Sequence, residues 1–221
     1  MSKKKSPNSK RISYNFLALG DQMVGKTSIT ERYISDKFRS NYLTTIGMDR
    51  KYKRLVINNK DVDVFITDTA GEERFRSLAK NFYKNTDGIL IGFSLTDKKS
   101  FNSIEFWLEQ INENCNDPNK ISLVLFGNKC DDKSNIDVKP EEINIIKEKY
   151  NLEYFETSAK ENINIQNLFE YLIRNTIIKK GDLEKIGLKK NSILNDIIIK
   201  IKENQRLEPV KVTKHKKKKF C

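Results

Sequence analysis

Between residues 12 and 178, short apolar runs alternate with segments whose apolar residues return every three or four positions. The runs ISYNFLAL (12–19), KRLVIN (53–58), DVDVFIT (61–67), GILIGFSL (88–95), ISLVLFG (121–127) and EYFET (153–157) read as strands. Most are nearly continuous in apolar residues, as strands covered on both faces are. Helical periodicity falls at 25–35, 75–84, 99–114, 140–149 and 163–178; in the last, Ile165, Leu168, Phe169, Leu172 and Ile173 make one buried stripe. NNKD (58–61) joins the second and third runs at hairpin length, so that pair is expected to be antiparallel. The alternation predicts an α/β fold with a doubly wound, mostly parallel sheet, whose ligands lie at the carboxyl ends of the strands.

Composition narrows the setting. Of 221 residues 37% are hydrophobic, enough for one core and a modest appendage. No apolar run approaches the roughly 18 residues of a spanning helix, and MSKKKSPNSK lacks the apolar stretch of a signal peptide. An intracellular, soluble chain is expected. Cys115, Cys130 and Cys221 show no paired spacing, which argues against a disulfide framework or a zinc site. The formal net charge of +12 is unevenly placed: residues 1–11 carry five basic side chains, and 179–221 carry 14 basic against 5 acidic. The segment 12–178 is nearly neutral. A basic N-terminal extension (1–11), one domain (12–178) and a lysine-rich, flexible tail (179–221) are therefore expected. With the charge on tails rather than on the fold, specific nucleic-acid recognition is not expected.

The chemistry begins at GDQMVGKT (20–27), which follows the first strand and opens a helix as G-x-x-x-x-G-K-[ST]. Gly20 and Gly25 let the backbone curl near a phosphate, and the amides of Asp21, Gln22, Met23, Val24 and the helix start through Ser28 can face the anion. Lys26 is placed to neutralise β- and γ-phosphates, and the Thr27 hydroxyl to ligate Mg²⁺. Asp68, closing the third strand, is a second Mg²⁺ ligand, and the Gly71 N–H can reach a γ-phosphate. Asn128, Lys129 and Asp131 of NKCD follow the fifth strand; Ser158, Ala159 and Lys160 of TSAK follow the sixth. The Asp131 carboxylate can accept from guanine N1–H and N2–H₂, which adenine does not offer. Lys129 can lie over the base and the Ala159 N–H can donate to guanine O6. Together these elements describe a GTP/GDP site and disfavour an ATP-using enzyme.

GDQMVGKT, TTIGMD, DTAGEERF, GNKCD and ETSAK resemble the small GTPases of the Ras superfamily, and TIGMD, DTAGEERFRSL and ETSAK are similar to the Rab branch, the regulators of vesicle traffic. The resemblance spans residues 12–178. It implies a Ras-like P-loop fold: a six-stranded, mostly parallel sheet with one antiparallel strand, about five flanking helices and two nucleotide-sensing switches. It implies that Phe38 packs edge-on against guanine, that Tyr42 lies over the γ-phosphate, and that Thr45 ligates Mg²⁺ only when that phosphate is present. An exchange factor, a GTPase-activating protein, GTP-dependent effectors and a monomeric state are expected with it.

Several positions depart from the pattern. Glu72 stands where the family usually has the Gln that orients the attacking water, the family's own example of that role. A carboxylate beside an anionic γ-phosphate is repelled, so slow intrinsic hydrolysis is expected, with a GTP-holding scaffold as the alternative. Gln22 and Met23 replace smaller residues; they either crowd an incoming arginine finger or point harmlessly to solvent. Arg50 and Thr67 replace a Phe and a Trp of an aromatic cluster read by effectors, leaving Phe82 and Tyr83 as its remaining aromatics.

In the tail, Ile193, Leu194, Ile197, Ile198 and Ile201 could form one face of a short amphipathic helix, although a flexible linker is favoured. Lys211, Lys214, Lys216, Lys217, Lys218 and Lys219 precede Cys221. Each lysine near an anionic leaflet contributes at most about 1 kcal/mol, and stable anchoring takes a second signal. Prenylation of Cys221 supplies one, though no C-a-a-X box is present; the alternative is a solvated basic tail. Cycling between cytoplasm and the cytosolic face of an endomembrane is the expected location.

Overall fold

The computed structural model describes residues 11–38, 48–69, 83–189 and 199–201. Its elements are β1 (Ile12–Gly20), α1 (Lys26–Ser35), β2 (Met48–Ile57), β3 (Lys60–Thr69), β4 (Gly88–Ser94), α2 (Lys98–Asn102), α3 (Ile104–Asn114), β5 (Ser122–Asn128), α4 (Pro140–Tyr150), β6 (Glu153–Glu156), α5 (Ile165–Lys179) and β7 (Ile199–Ile201). They form one sheet in the order β6-β5-β4-β1-β3-β2-β7. Five of the six expected strands run parallel, and β2 is antiparallel to β3. β1 lies between β4 and β3, so the chain winds away from it in both directions, the arrangement in which ligands of open α/β sheets bind at the strands' carboxyl ends.

Both faces are covered. Tyr14 and Phe16 of β1 pack with α1 and α5 in one core, while Leu17 and Leu19 point into the other with α3 and α4. That is why β1 and β4 read as continuous apolar runs rather than as alternation; every residue of β4 is buried. Asn58 and Asn59, with φ of 45° and 63°, make the two-residue turn between β2 and β3. Positive φ at both positions gives a turn whose twist matches an antiparallel ladder, and Asn tolerates it.

The helix expected at 99–114 is broken at Ser103, whose φ and ψ are −77° and −6°. Asp97 caps the first piece by accepting from the Lys99 N–H. The helix expected at 75–84 lies almost wholly outside the described residues.

β2 starts five residues before the expected 53. Its leading half, MDRKYK, holds charges that read as loop, yet these charges are partnered. Lys51 pairs with Glu31 at 3.2 Å. The Lys53 ammonium lies 4.0 Å over the Tyr33 ring and donates to the Tyr33 carbonyl. Tyr33 stacks on Phe169 at 3.9 Å, so β2, α1 and α5 share one column. Burial lowers the Lys53 pKa to about 8.

The fold also continues past residue 178, where a flexible tail was expected to begin. Leu183 and Ile186 are buried in the α1–α5 core, and the Tyr14 hydroxyl donates to the buried Asp182 carboxylate at 3.1 Å. Apolar residues at 183, 186 and 188 bring the chain back onto the sheet. Residues 199–201 then add a short strand antiparallel to β2, pairing Leu55 with Ile201 and Ile57 with Ile199. At Ile201 the chain is therefore neither helix nor linker. No helix among the described residues is long and apolar enough to cross a membrane.

Candidate functional site

β1 ends on Gly20, and the chain turns through residues 21–25 into α1. Gly20, Met23 and Gly25 have φ of 135°, 62° and 100°. A Cβ on Gly20 would lie 2.2 Å from the Gly92 carbonyl oxygen, and one on Gly25 would lie 2.1 Å from Asn128 Nδ2. Neither position admits a side chain. Gly25 is the N-cap of α1 and provides no side-chain cap, so the leading amides of the helix keep the character of an anion cradle.

Lys26 is 5% exposed, and its ammonium donates to the carbonyls of Gly20 at 2.9 Å and Asp21 at 2.7 Å. Burial lowers its pKa to about 8, against the opposing pull of Asp68 and Asp21. Asp68 is wholly buried at the end of β3. Burial raises its pKa, opposed by the nearby Thr27 hydroxyl and by the charges of Lys26 and Lys51. Among the described residues neither carboxylate oxygen completes a hydrogen bond of regular geometry. A buried, under-satisfied carboxylate beside a hydroxyl suits a hard cation that takes one or two protein oxygens and completes its shell with phosphate and water. The residues therefore fit Mg²⁺ and a polyphosphate.

The Asp21 carboxylate faces away from the loop. It accepts from the Ser103 hydroxyl at 2.7 Å and from the Trp107 indole N–H at 2.8 Å, so the start of α3 braces the phosphate loop from outside. Val24 is buried and Ser28 half-buried. Gln22 and Met23 are exposed, Met23 by 58%. Their side chains meet solvent, which leaves them accessible to an incoming protein.

On the other side, Asn128 links three segments. Its Nδ2 donates to the Val24 carbonyl at 2.9 Å, and its Oδ1 accepts from the Ala159 N–H at 3.2 Å. The donor expected for guanine O6 is thus turned onto Asn128 in this structure, and a base oxygen would share it or take it over. Asp131 accepts from the Ser158 hydroxyl at 2.6 Å, and Lys160 stands 3.8 Å from its other oxygen. Lys129 adopts φ 68°, which turns the chain sharply after β5. Phe38 is exposed and lies beside Arg32, whose guanidinium carbon is 5.9 Å from the ring centroid.

Tyr42, Thr45, Gly71, Glu72, Phe82 and Cys221 lie outside the described residues. Tyr83, expected with the partner-facing aromatics, is instead 3% exposed in the α3–α4 core. Arg50 and Thr67 face each other across the β2–β3 ladder. The Arg50 guanidinium covers the Phe65 ring at 4.4 Å and donates to Asn15 at 2.7 Å, while Tyr52 flanks Phe65 at 5.3 Å. An aromatic centre therefore persists here under a cation, carried by residues that reading along the chain did not single out. Arg32 was missed as well: as a basic residue on a short helix it reads as part of a solvated face.

The model of the Ras family matches residues 15–178. The chain is a member of the Ras family. It is 35% identical over 168 residues to "Ras-related protein Rab-13" of Rattus norvegicus, covering 76% of this chain and 82% of that protein. To "Ras-related protein Rab-10" of Diplobatis ommata it is 35% identical over 181 residues, 80% of this chain and 90% of the relative. To "Ras-related protein SEC4" of Candida albicans (strain WO-1) it is 36% identical over 171 residues, 77% and 80% respectively. This Rab-like small GTPase binds GTP and GDP with Mg²⁺ and hydrolyses GTP to GDP and phosphate. Family membership brings exchange factors, activating proteins and effectors as its partners.

Proposed function

We propose that this Rab-like GTPase is a switch in intracellular vesicle traffic with slow intrinsic turnover. The convergence of the uncapped phosphate loop, Asp68, Asn128, Asp131 and the 158–160 loop at one end of the sheet carries the switch reading; the likeness to proteins named Rab-13, Rab-10 and SEC4 supports the traffic role.

Lys26, already charged and buried inside the loop, transfers its hydrogen bonds from the Gly20 and Asp21 carbonyls to phosphate oxygens. Thr27 and Asp68 would hold Mg²⁺, which when bound would supply neutralisation of phosphate charge. Thr45 and Gly71 engage only when the third phosphate is present, so the segments around them change with hydrolysis. Phosphoryl transfer to water asks the protein mainly for positioning and charge neutralisation. Glu72 works against both. It brings a negative charge toward an anionic γ-phosphate where a neutral amide would orient water. Single-turnover hydrolysis by Glu72→Gln is expected to exceed that of the wild type by roughly tenfold or more. Equal or slower hydrolysis by the variant would overturn the slow-turnover reading. A GTP-holding scaffold remains the second reading; it is favoured if an activating protein cannot raise turnover either.

The lysine-rich tail and a prenyl group on Cys221 together hold the active form on the cytosolic face of an endomembrane, and the protein works as a monomer. A fluorescently tagged copy should decorate organelle or vesicle membranes, and Cys221→Ser should move it to the cytosol. A tagged copy that stays diffuse in both nucleotide states contradicts the traffic role, and unchanged membrane binding by Cys221→Ser contradicts lipidation.

A further inference from the structure

Arg32 occupies the last turn of α1, where a basic residue ordinarily does no more than complement the helix dipole. Here its side chain is only 14% exposed and all three guanidinium nitrogens are used. Nε donates to the Ala159 carbonyl at 2.9 Å and Nη2 to the Lys160 carbonyl at 3.0 Å. Nη1 donates to the Asp36 carbonyl at 3.0 Å and to its carboxylate at 3.2 Å. Asp36 caps α1 in the left-handed region, with its N–H on the Arg32 carbonyl at 2.9 Å. Asn162 Nδ2 reaches the same Asp36 carboxylate at 3.3 Å and closes the ring. The guanidinium also flanks the Phe38 ring. One planar cation thus joins the end of α1, the root of the segment bearing Phe38, and a loop 127 positions away.

We propose that Arg32 is a positioning residue of the base pocket, holding the 158–160 loop and the Asp36–Phe38 segment as one frame so that a 6-oxo purine is recognised and retained. This rests on the guanine-nucleotide reading of the pocket. The described peptide bonds are trans, so a carbonyl and the N–H of its own peptide point in opposite directions. With the Ala159 carbonyl drawn to Nε, the Lys160 N–H turns away from Arg32; with the Lys160 carbonyl drawn to Nη2, the next peptide is fixed too. The Ser158–Asp131 bond holds the loop's other end. Arg32 thereby orients the Lys160 N–H before a base arrives; the Ala159 N–H, on the preceding peptide whose Ser158 carbonyl accepts from the Ile163 N–H at 2.9 Å, has only the 3.2 Å contact with Asn128 to give up. A lysine ammonium has no planar fork, so it would not fix the angle between the two carbonyls. The same connection ties release to the segment that follows α1, because movement at Phe38 is transmitted through Asp36 and Arg32 to the loop.

The test compares three nucleoside diphosphates on the full chain with Mg²⁺: GDP, inosine diphosphate and 2-aminopurine riboside diphosphate, which lacks the 6-oxo group. Arg32→Met is expected to weaken GDP and inosine diphosphate in parallel, by about tenfold, and to speed GDP release by a similar factor. The 2-aminopurine nucleotide should change by less than about twofold. Arg32→Lys, which keeps the charge and the aliphatic stem, guards against a folding defect and should shift GDP in the same direction by at least about threefold. Equal weakening of all three nucleotides makes Arg32 a general brace of the fold and overturns the proposal, as does no change in any of them. If the wild type itself fails to prefer GDP over the 2-aminopurine nucleotide, the guanine reading falls and the proposal with it.

Discussion

At the carboxyl ends of β1, β5 and β6, polar groups are held by backbone and by one another deep in the fold; along the β2–β3 ladder they are held by side-chain pairs near the surface. Asn128 is 3% exposed and bonded on both sides to main-chain atoms. Arg50 is exposed and bonded to one amide oxygen and one ring face. Buried polar groups are costly to leave unmatched, whereas exposed ones exchange partners with water at little cost. The pocket end is therefore built to bind one ligand chemistry. The ladder's exposed contacts can change without endangering the fold, and two of the departures from the Rab pattern, Arg50 and Thr67, lie on it.

Changes that break the contrast should rank accordingly. Asp131→Asn replaces one of the two acceptor oxygens proposed to meet the guanine N1–H and N2–H₂ by an NH₂ donor, and loses the charge-assisted bond from Ser158. GDP affinity is expected to fall by roughly a thousandfold or more, with a gain for xanthine diphosphate, as read by competition binding. Asp63→Ala tests the ladder's inner layer. Asp63 is 9% exposed and accepts from Arg54 Nε at 2.7 Å and from the Tyr52 hydroxyl at 3.1 Å. Its removal takes away the carboxylate bonded to a half-buried guanidinium, so denaturant unfolding should show a loss of about 1–2 kcal/mol with nucleotide affinity unchanged. Arg50→Ala should be smallest: within about 0.5 kcal/mol in stability and without effect on GDP release. A large effect of Arg50→Ala on nucleotide release would show that the ladder and the pocket are one unit after all.

Legibility followed the same division. The phosphate loop was readable because its requirements are local: two glycines whose missing Cβ atoms admit Gly92 and Asn128, and a Lys-Thr pair on the first helical turn. The strands β1, β4 and β5 were readable because burial on both faces leaves a continuous apolar run. The first half of β2 was not readable, since Lys51 and Lys53 become strand residues only through Glu31 and Tyr33 on α1. Nor was the end of the domain: Leu183 and Ile186 are too few to announce a packed turn, yet each finds a place in an existing core. The bracing of Asp21 by Ser103 and Trp107 had no signal along the chain, because a Ser and a Trp near a helix start serve many ends.

By itself the sequence determined the α/β alternation, the hairpin at Asn58–Asn59 and the motifs whose polar residues the fold gathers at the carboxyl ends of the strands. Each of these is written in neighbouring residues, through periodicity, permitted φ or adjacent donors. Tertiary structure alone decided which groups support them: Asn128 on Val24 across 104 positions, Arg32 on Ala159 across 127, and Asp182 on Tyr14 across 168. Contacts of that span are set by how two cores seat their helices on one sheet, and packing of that kind is a property of the assembled surfaces rather than of any stretch of chain.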